Sequence, residues 1–169
     1  MWQYLSTKPS IVEAKKMGYL KETIAMSARA KRCQNQWGIH YQYCQNAILE
    51  SVNRSVQRRT ILIFGAGTLK DIPLEELAGL FQRVILVDLV FLSTAYQQVA
   101  KFNNVELVEH DVTESLSWIS QGQVFVQNPT QWLDDESIDL VVSLNIVTQR
   151  PLIPVRWLMT EFKFREEEV

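Results

Sequence analysis

The apolar run Ile61-Leu62-Ile63-Phe64 passes directly into Gly65-Ala66-Gly67-Thr68, and a second run, Val84-Ile85-Leu86-Val87, ends in Asp88. Short apolar runs without alternation are expected of strands buried on both faces, as in a parallel sheet covered on both sides. Between the two runs lie helix signals. Asp71 is placed to cap, Pro73 suits a first turn, and Glu75 and Glu76 favour the positive end of a helix. The pattern continues with a helix over Ser93–Phe102, a strand over Val105–Val108 that runs into Glu109-His110-Asp111, and a fourth strand over Ile138–Leu144. Strands alternating with helices predict an α/β architecture with right-handed crossovers.

The segment before Thr60 has a different period. Val12 to Met26 carries apolar residues at helical spacing, with Gly18 as a weak point. From about Gln34 to Val56, one stripe holds Tyr41, Cys44, Ile48 and Val52 and extends to Val56. The chain therefore divides into a helical N-terminal element, residues 1–59, and an α/β core, residues 60–169. Residues 113–136 read as a short helix and a loop with room for a minor strand. Trp157 to Phe164 begins a last helix after Pro151 and Pro154 and leads into an acidic tail.

Charge follows the same division. Residues 1–60 hold ten Lys/Arg and three Asp/Glu, while residues 61–169 hold seven and sixteen. The basic residues are dispersed and not interleaved with stacking aromatics, so a nucleic-acid partner is disfavoured. No apolar run is long enough to span a bilayer, and the N-terminus lacks a secretory pattern. Two cysteines make no disulfide framework, which points to the cytoplasm. Cys33, His40 and Cys44 lack a fourth ligand, so no metal site is expected.

In a parallel sheet of this kind, ligands sit beyond the carboxyl ends of the strands. Gly65, Ala66 and Gly67 would let backbone approach a ligand closely. Asp88 would stand beside that turn, able to accept from two ribose hydroxyls or to cap a helix. Asp111 could meet an adenine amino group or cap the next segment, and His110 beside it is a weaker candidate for a general base. Trp37, Tyr41 and Tyr43 could line a lid, or simply pack between helices. Lys70 stands where the dinucleotide pattern G-x-G-x-x-G needs its last glycine, which disfavours a NAD-dependent oxidoreductase.

Taken together, Ile61–Thr68, Val84–Asp88, Val105–Asp111 and Asp139–Asn145 resemble the nucleotide-binding half of a Rossmann-like S-adenosylmethionine-dependent methyltransferase. The resemblance implies that the glycine turn holds the methionine part of S-adenosylmethionine, that Asp88 binds the ribose, and that Asp111 contacts the adenine. It also implies that Ser143 and Asn145, where the fourth strand ends, face the methionine and an unidentified methyl acceptor. Ile63 and Leu69 depart from the family pattern, standing where it often has an acidic residue and another glycine. The stretch after Leu144 has no room for the further strands such sheets usually carry, so a sheet shortened at its C-terminal side is expected. Its open fourth strand would invite a second copy or another partner. The rival reading is accordingly a non-catalytic interaction module built on the same frame.

Overall fold

The computed structural model describes residues 9–146, 152–165 and 167. Four strands, β1 (Thr60–Phe64), β2 (Arg83–Asp88), β3 (Val105–Glu109) and β4 (Ile138–Ser143), form one all-parallel sheet in the order β3-β2-β1-β4. Helices flank it, and a helical region precedes it: α1 (Val12–Lys16), α2 (Tyr19–Arg32), α3 (Gln34–Arg54), α4 (Leu74–Leu80), α5 (Ser93–Val99), α6 (Leu116–Ser120) and α7 (Leu152–Glu161). The expected α/β class with a helical N-terminal element and a short Rossmann-like sheet is therefore what the chain adopts.

Side chains alternate across the sheet, so the unbroken apolar runs feed two cores. On one face Ile61, Ile63, Val84 and Leu86 pack with Ile48 and Val52 of α3, Leu77 of α4, and Ala95 and Val99 of α5. The stripe read along α3 thus lands on the sheet. Val56 lies outside it: α3 ends at Arg54, and Val56 is 98% exposed. On the other face Leu62, Ile85 and Val87 meet Val112, Trp132 and Ile138 rather than a long helix. A third cluster joins Ala14 of α1, Met17 at its C-cap and Leu20 of α2 to Val90, Leu92 and Leu116, with Ile153 and Trp157 of α7 against it. It sits on the loops leaving β2 and β3.

Three local expectations need correction. Helix α4 starts at Leu74 with Pro73 at the N-cap, and no side chain caps it, so Asp71 serves elsewhere. Residues 121–137 form turns and loop without a minor strand. The last helix begins at Leu152, earlier than Trp157, with Pro154 in its first turn, where a missing N–H costs nothing. Pro151 and part of the acidic tail fall outside the described residues.

Candidate functional site

The chain steps from β1 to β2 and β3 on one side, then returns to place β4 on the other side of β1. The strand order therefore reverses at the β1–β4 pair, and in parallel sheets ligands bind beyond the carboxyl ends of the strands at such a switch point. The loops after β1, β2 and β4 all meet at this edge.

The glycine turn leaves β1 at Phe64. The N–H groups of Gly65 and Ala66 both donate to the Val87 carbonyl, at 2.9 and 3.1 Å, which ties the turn to the end of β2. Gly65 has φ +78°, and a Cβ there would run into the Leu144 carbonyl oxygen and the Ile146 side chain. Gly67 has φ +41°, and its Cβ would stand 3.3 Å from Asp88 Oδ2. The first glycine thus serves the packing of the β1 turn on the β4 end, while the second keeps clear the space in front of a carboxylate. Leu69 also takes a glycine-like φ of +61°, with its side chain buried.

Asp88 reaches the turn directly. Gly67 N–H donates to its Oδ2 at 2.8 Å, and Leu89 N–H donates to its Oδ1 at 2.7 Å. Burial pushes the Asp88 carboxyl up to about 6, against the pull of those N–H groups. A carboxylate offers about four lone-pair sites. Gly67 and Leu89 use two, and the Val90 N–H also pulls on the carboxylate, which leaves one for an incoming donor.

The other expected residues divide. Both oxygens of Asp111 are taken locally: Oδ1 by Thr113 N–H (3.0 Å) and Oγ1 (2.7 Å), Oδ2 by the N–H groups of Ser115 (2.9 Å) and Leu116 (2.7 Å). That is the capping arrangement, and it orders the start of α6. His110 packs edge-on to Trp132, with its Nε2 3.8 Å from Glu114 Oε1. Ser143 lies opposite Phe64 in the register, exposed, with no side-chain hydrogen bond among the described residues. Asn145 has φ +50° and donates from Nδ2 to Asp71 Oδ2 at 3.2 Å. That bond crosses from the β4 loop to the β1 loop. Gly65, Ala66, Gly67, Asp88 and Asn145 are thus brought to one edge, with Asp111 beside it engaged by its own loop and Ser143 exposed at the end of β4.

Sequence reading misses the N-terminal contribution. Gln45 of α3 donates from Nε2 to the Lys70 carbonyl at 2.9 Å, which holds α3 against the β1 loop. Ser10 donates from its N–H and Oγ to Glu109 Oε2, both at 2.6 Å, fixing the entry to α1 at the end of β3. Tyr19 of α2 is largely buried, and burial together with the charges of Asp111 and Asp88 raises its phenol. Only the apolar stripe of α3 signals any of this in the sequence. His40 Nε2 and Cys44 Sγ lie 3.6 Å apart on α3, and among the described residues no three His, Cys, Asp or Glu side chains converge as a metal site would require. No helix of the described residues is long and apolar enough to cross a membrane.

The chain matches no protein-family model, no curated protein and no solved structure significantly.

Proposed function

We propose that this chain is the cofactor-binding frame of an S-adenosylmethionine-dependent methyltransferase, with Gly65, Ala66 and Gly67 as the cradle and Asp88 as the ribose ligand. The observation that carries the reading is the 2.8 Å hydrogen bond from Gly67 N–H to Asp88 Oδ2, which puts a close-approach backbone and a carboxylate with a lone pair to spare on one edge. A ribose hydroxyl is a donor that fits the remaining lone pair when Asp88 is ionised. Asp111, by ordering residues 111–116, would shape the wall against which the adenine rests. Asn145 and Ser143 would border the methionine end and the methyl acceptor. When bound, the cofactor supplies a methyl group on a positively charged sulfur. The residues here would act by holding that methyl in line with a nucleophilic lone pair on the acceptor, which is catalysis by positioning. Two free thiols, Cys33 and Cys44, suit a cytoplasmic setting.

A second reading is favoured by one observation. β4 pairs only with β1 among the described residues, and Val141 at its centre is 55% exposed. An open strand of this kind recruits a partner strand, so the frame would serve as an interaction module, including association with a second copy through β4. Calorimetry with S-adenosylmethionine, S-adenosylhomocysteine and NAD separates the readings. Micromolar binding of a methionine-derived ligand, lost in Asp88→Ala, supports the first. Absence of binding by all three, with a defined dimer in sedimentation, supports the second.

A further inference from the structure

From Ser115 to Leu133 the chain carries no charged residue, and in the middle of that stretch stands Gln123-Val124-Phe125-Val126-Gln127, which reads the same in both directions. Val126 is 73% exposed, and Val124 and Phe125 are half-exposed. The segment is held at both ends. Gln123 N–H donates to the Trp118 carbonyl at 3.1 Å, Gln127 N–H to Ser115 Oγ at 3.2 Å, and Gln127 Nε2 to the Glu114 carbonyl at 2.9 Å. Between those anchors the backbone N–H and C=O groups of Val124, Phe125 and Val126 make no hydrogen bond among the described residues. No residue from Gln123 to Gln131 takes a positive φ. A β-branched and aromatic run with unpaired backbone and no charge is what a second strand pairs with.

We propose that this segment is a dimerisation strand, pairing antiparallel with the same segment of a second copy about a two-fold axis at Phe125. A two-fold contact needs a surface complementary to itself. The palindrome supplies one: Gln123 of one copy falls opposite Gln127 of the other, Val124 opposite Val126, and Phe125 opposite its own equivalent. The apolar surface continues past the strand. Trp118 packs edge-on to Phe125 at 5.8 Å between ring centroids, and the Phe162 ring covers Gly122, where a Cβ would collide with it. Both aromatics are partly exposed, so the contact extends beyond three residues toward the roughly 1,000 Å² that a specific interface buries. Charge agrees with the pairing. At its start the segment adjoins Phe162 and the Lys163 that follows it, and past its end the chain turns at Thr130–Leu133 into Asp134. The two-fold lays the start of one copy beside the end of the other, cation toward carboxylate. This strand is distinct from the open edge of β4, and the proposal does not rest on the cofactor reading.

Sedimentation of the full chain over a concentration series tests the proposal, with thermal melting to check that each variant folds. The unsubstituted chain should dimerise. The double variant Val124→Lys, Val126→Lys sets like charges opposite each other and should weaken the dimer by about tenfold or more. Val124→Glu, Val126→Glu should do the same. Mixed together, the two double variants should associate with each other about tenfold more tightly than either does with itself, because antiparallel pairing then sets lysine against glutamate. Val141→Lys, on β4, should leave the dimer unchanged. A dimer that the lysine pair leaves intact, a mixture that does not associate, or a dimer dissolved by Val141→Lys overturns the dimerisation strand. A chain that stays monomeric overturns it as well; if that monomer pellets with phosphatidylcholine vesicles and the lysine pair abolishes the pelleting, the exposed segment faces lipid instead.

Discussion

β2 and β4 are written in nearly the same apolar language, Val-Ile-Leu-Val and Leu-Val-Val, yet they live in different surroundings. Ile85 of β2 is 1% exposed, and Val141 of β4, in register with the same β1 residue Leu62, is 55% exposed. The difference comes from position in the strand order. β2 has a neighbour on each side and side chains covering both its faces, whereas β4 is the last strand in the order, on a face covered by a loop around Trp132. An apolar run therefore specifies a strand, while the crossovers decide how much of it is covered.

Leu62→Ala and Val141→Ala set that contrast against measurement. Leu62 is 2% exposed, so its truncation should cost about 2–5 kcal/mol in chemical unfolding. Val141→Ala should change stability by about 0.5 kcal/mol or less. Equal losses would mean that β4 is as well covered as the central strands. The two glycines give a matched contrast of smaller size. Gly65→Ala drives a Cβ into the Leu144 backbone at a positive φ, so about 2–4 kcal/mol should be lost. Gly67→Ala meets only a carboxylate oxygen at 3.3 Å and should cost about 1 kcal/mol. If Gly67 proves the more sensitive, the turn is held by Asp88 rather than by β4.

Asp88 adds a pH signature. Its folded-state carboxyl sits at about 6, above the ordinary 3.8, so the folded chain holds this proton longer than the unfolded one. The favourable contribution is complete below the ordinary value and is lost as pH rises toward 6. The difference in unfolding free energy between the unsubstituted chain and Asp88→Asn should therefore fall by up to about 3 kcal/mol between pH 4 and pH 7. A flat difference would place Asp88 in an environment no drier than water.

The strands were legible because each pairs a dense apolar run with clear punctuation: Gly65 after β1, Asn103-Asn104 before β3, and Pro73 before α4. The edge to which Gly65, Gly67 and Asp88 come was legible for the same reason, since parallel strands deliver their carboxyl ends to one side. The role of Asp71 was not. Its spacing to Pro73 fits a cap, and only the return of β4 beside β1 brings Asn145 within reach. Asp111 could be read two ways because a residue that ends a strand can face either a ligand or the next turn; its four local donors are a matter of tertiary geometry. The coverage by α1 and α2 was hidden because single contacts such as Ser10 to Glu109 leave no periodic trace.

The central claim is that the glycine turn and Asp88 share one ligand. Calorimetric titration of S-adenosylhomocysteine at pH 5 and pH 8 tests it most directly. If a ribose hydroxyl donates to an ionised Asp88, affinity should rise about tenfold over that interval, and Asp88→Asn should remove both the rise and most of the binding. Binding that is equally tight in Asp88→Asn, or no binding by the unsubstituted chain at either pH, would contradict the account.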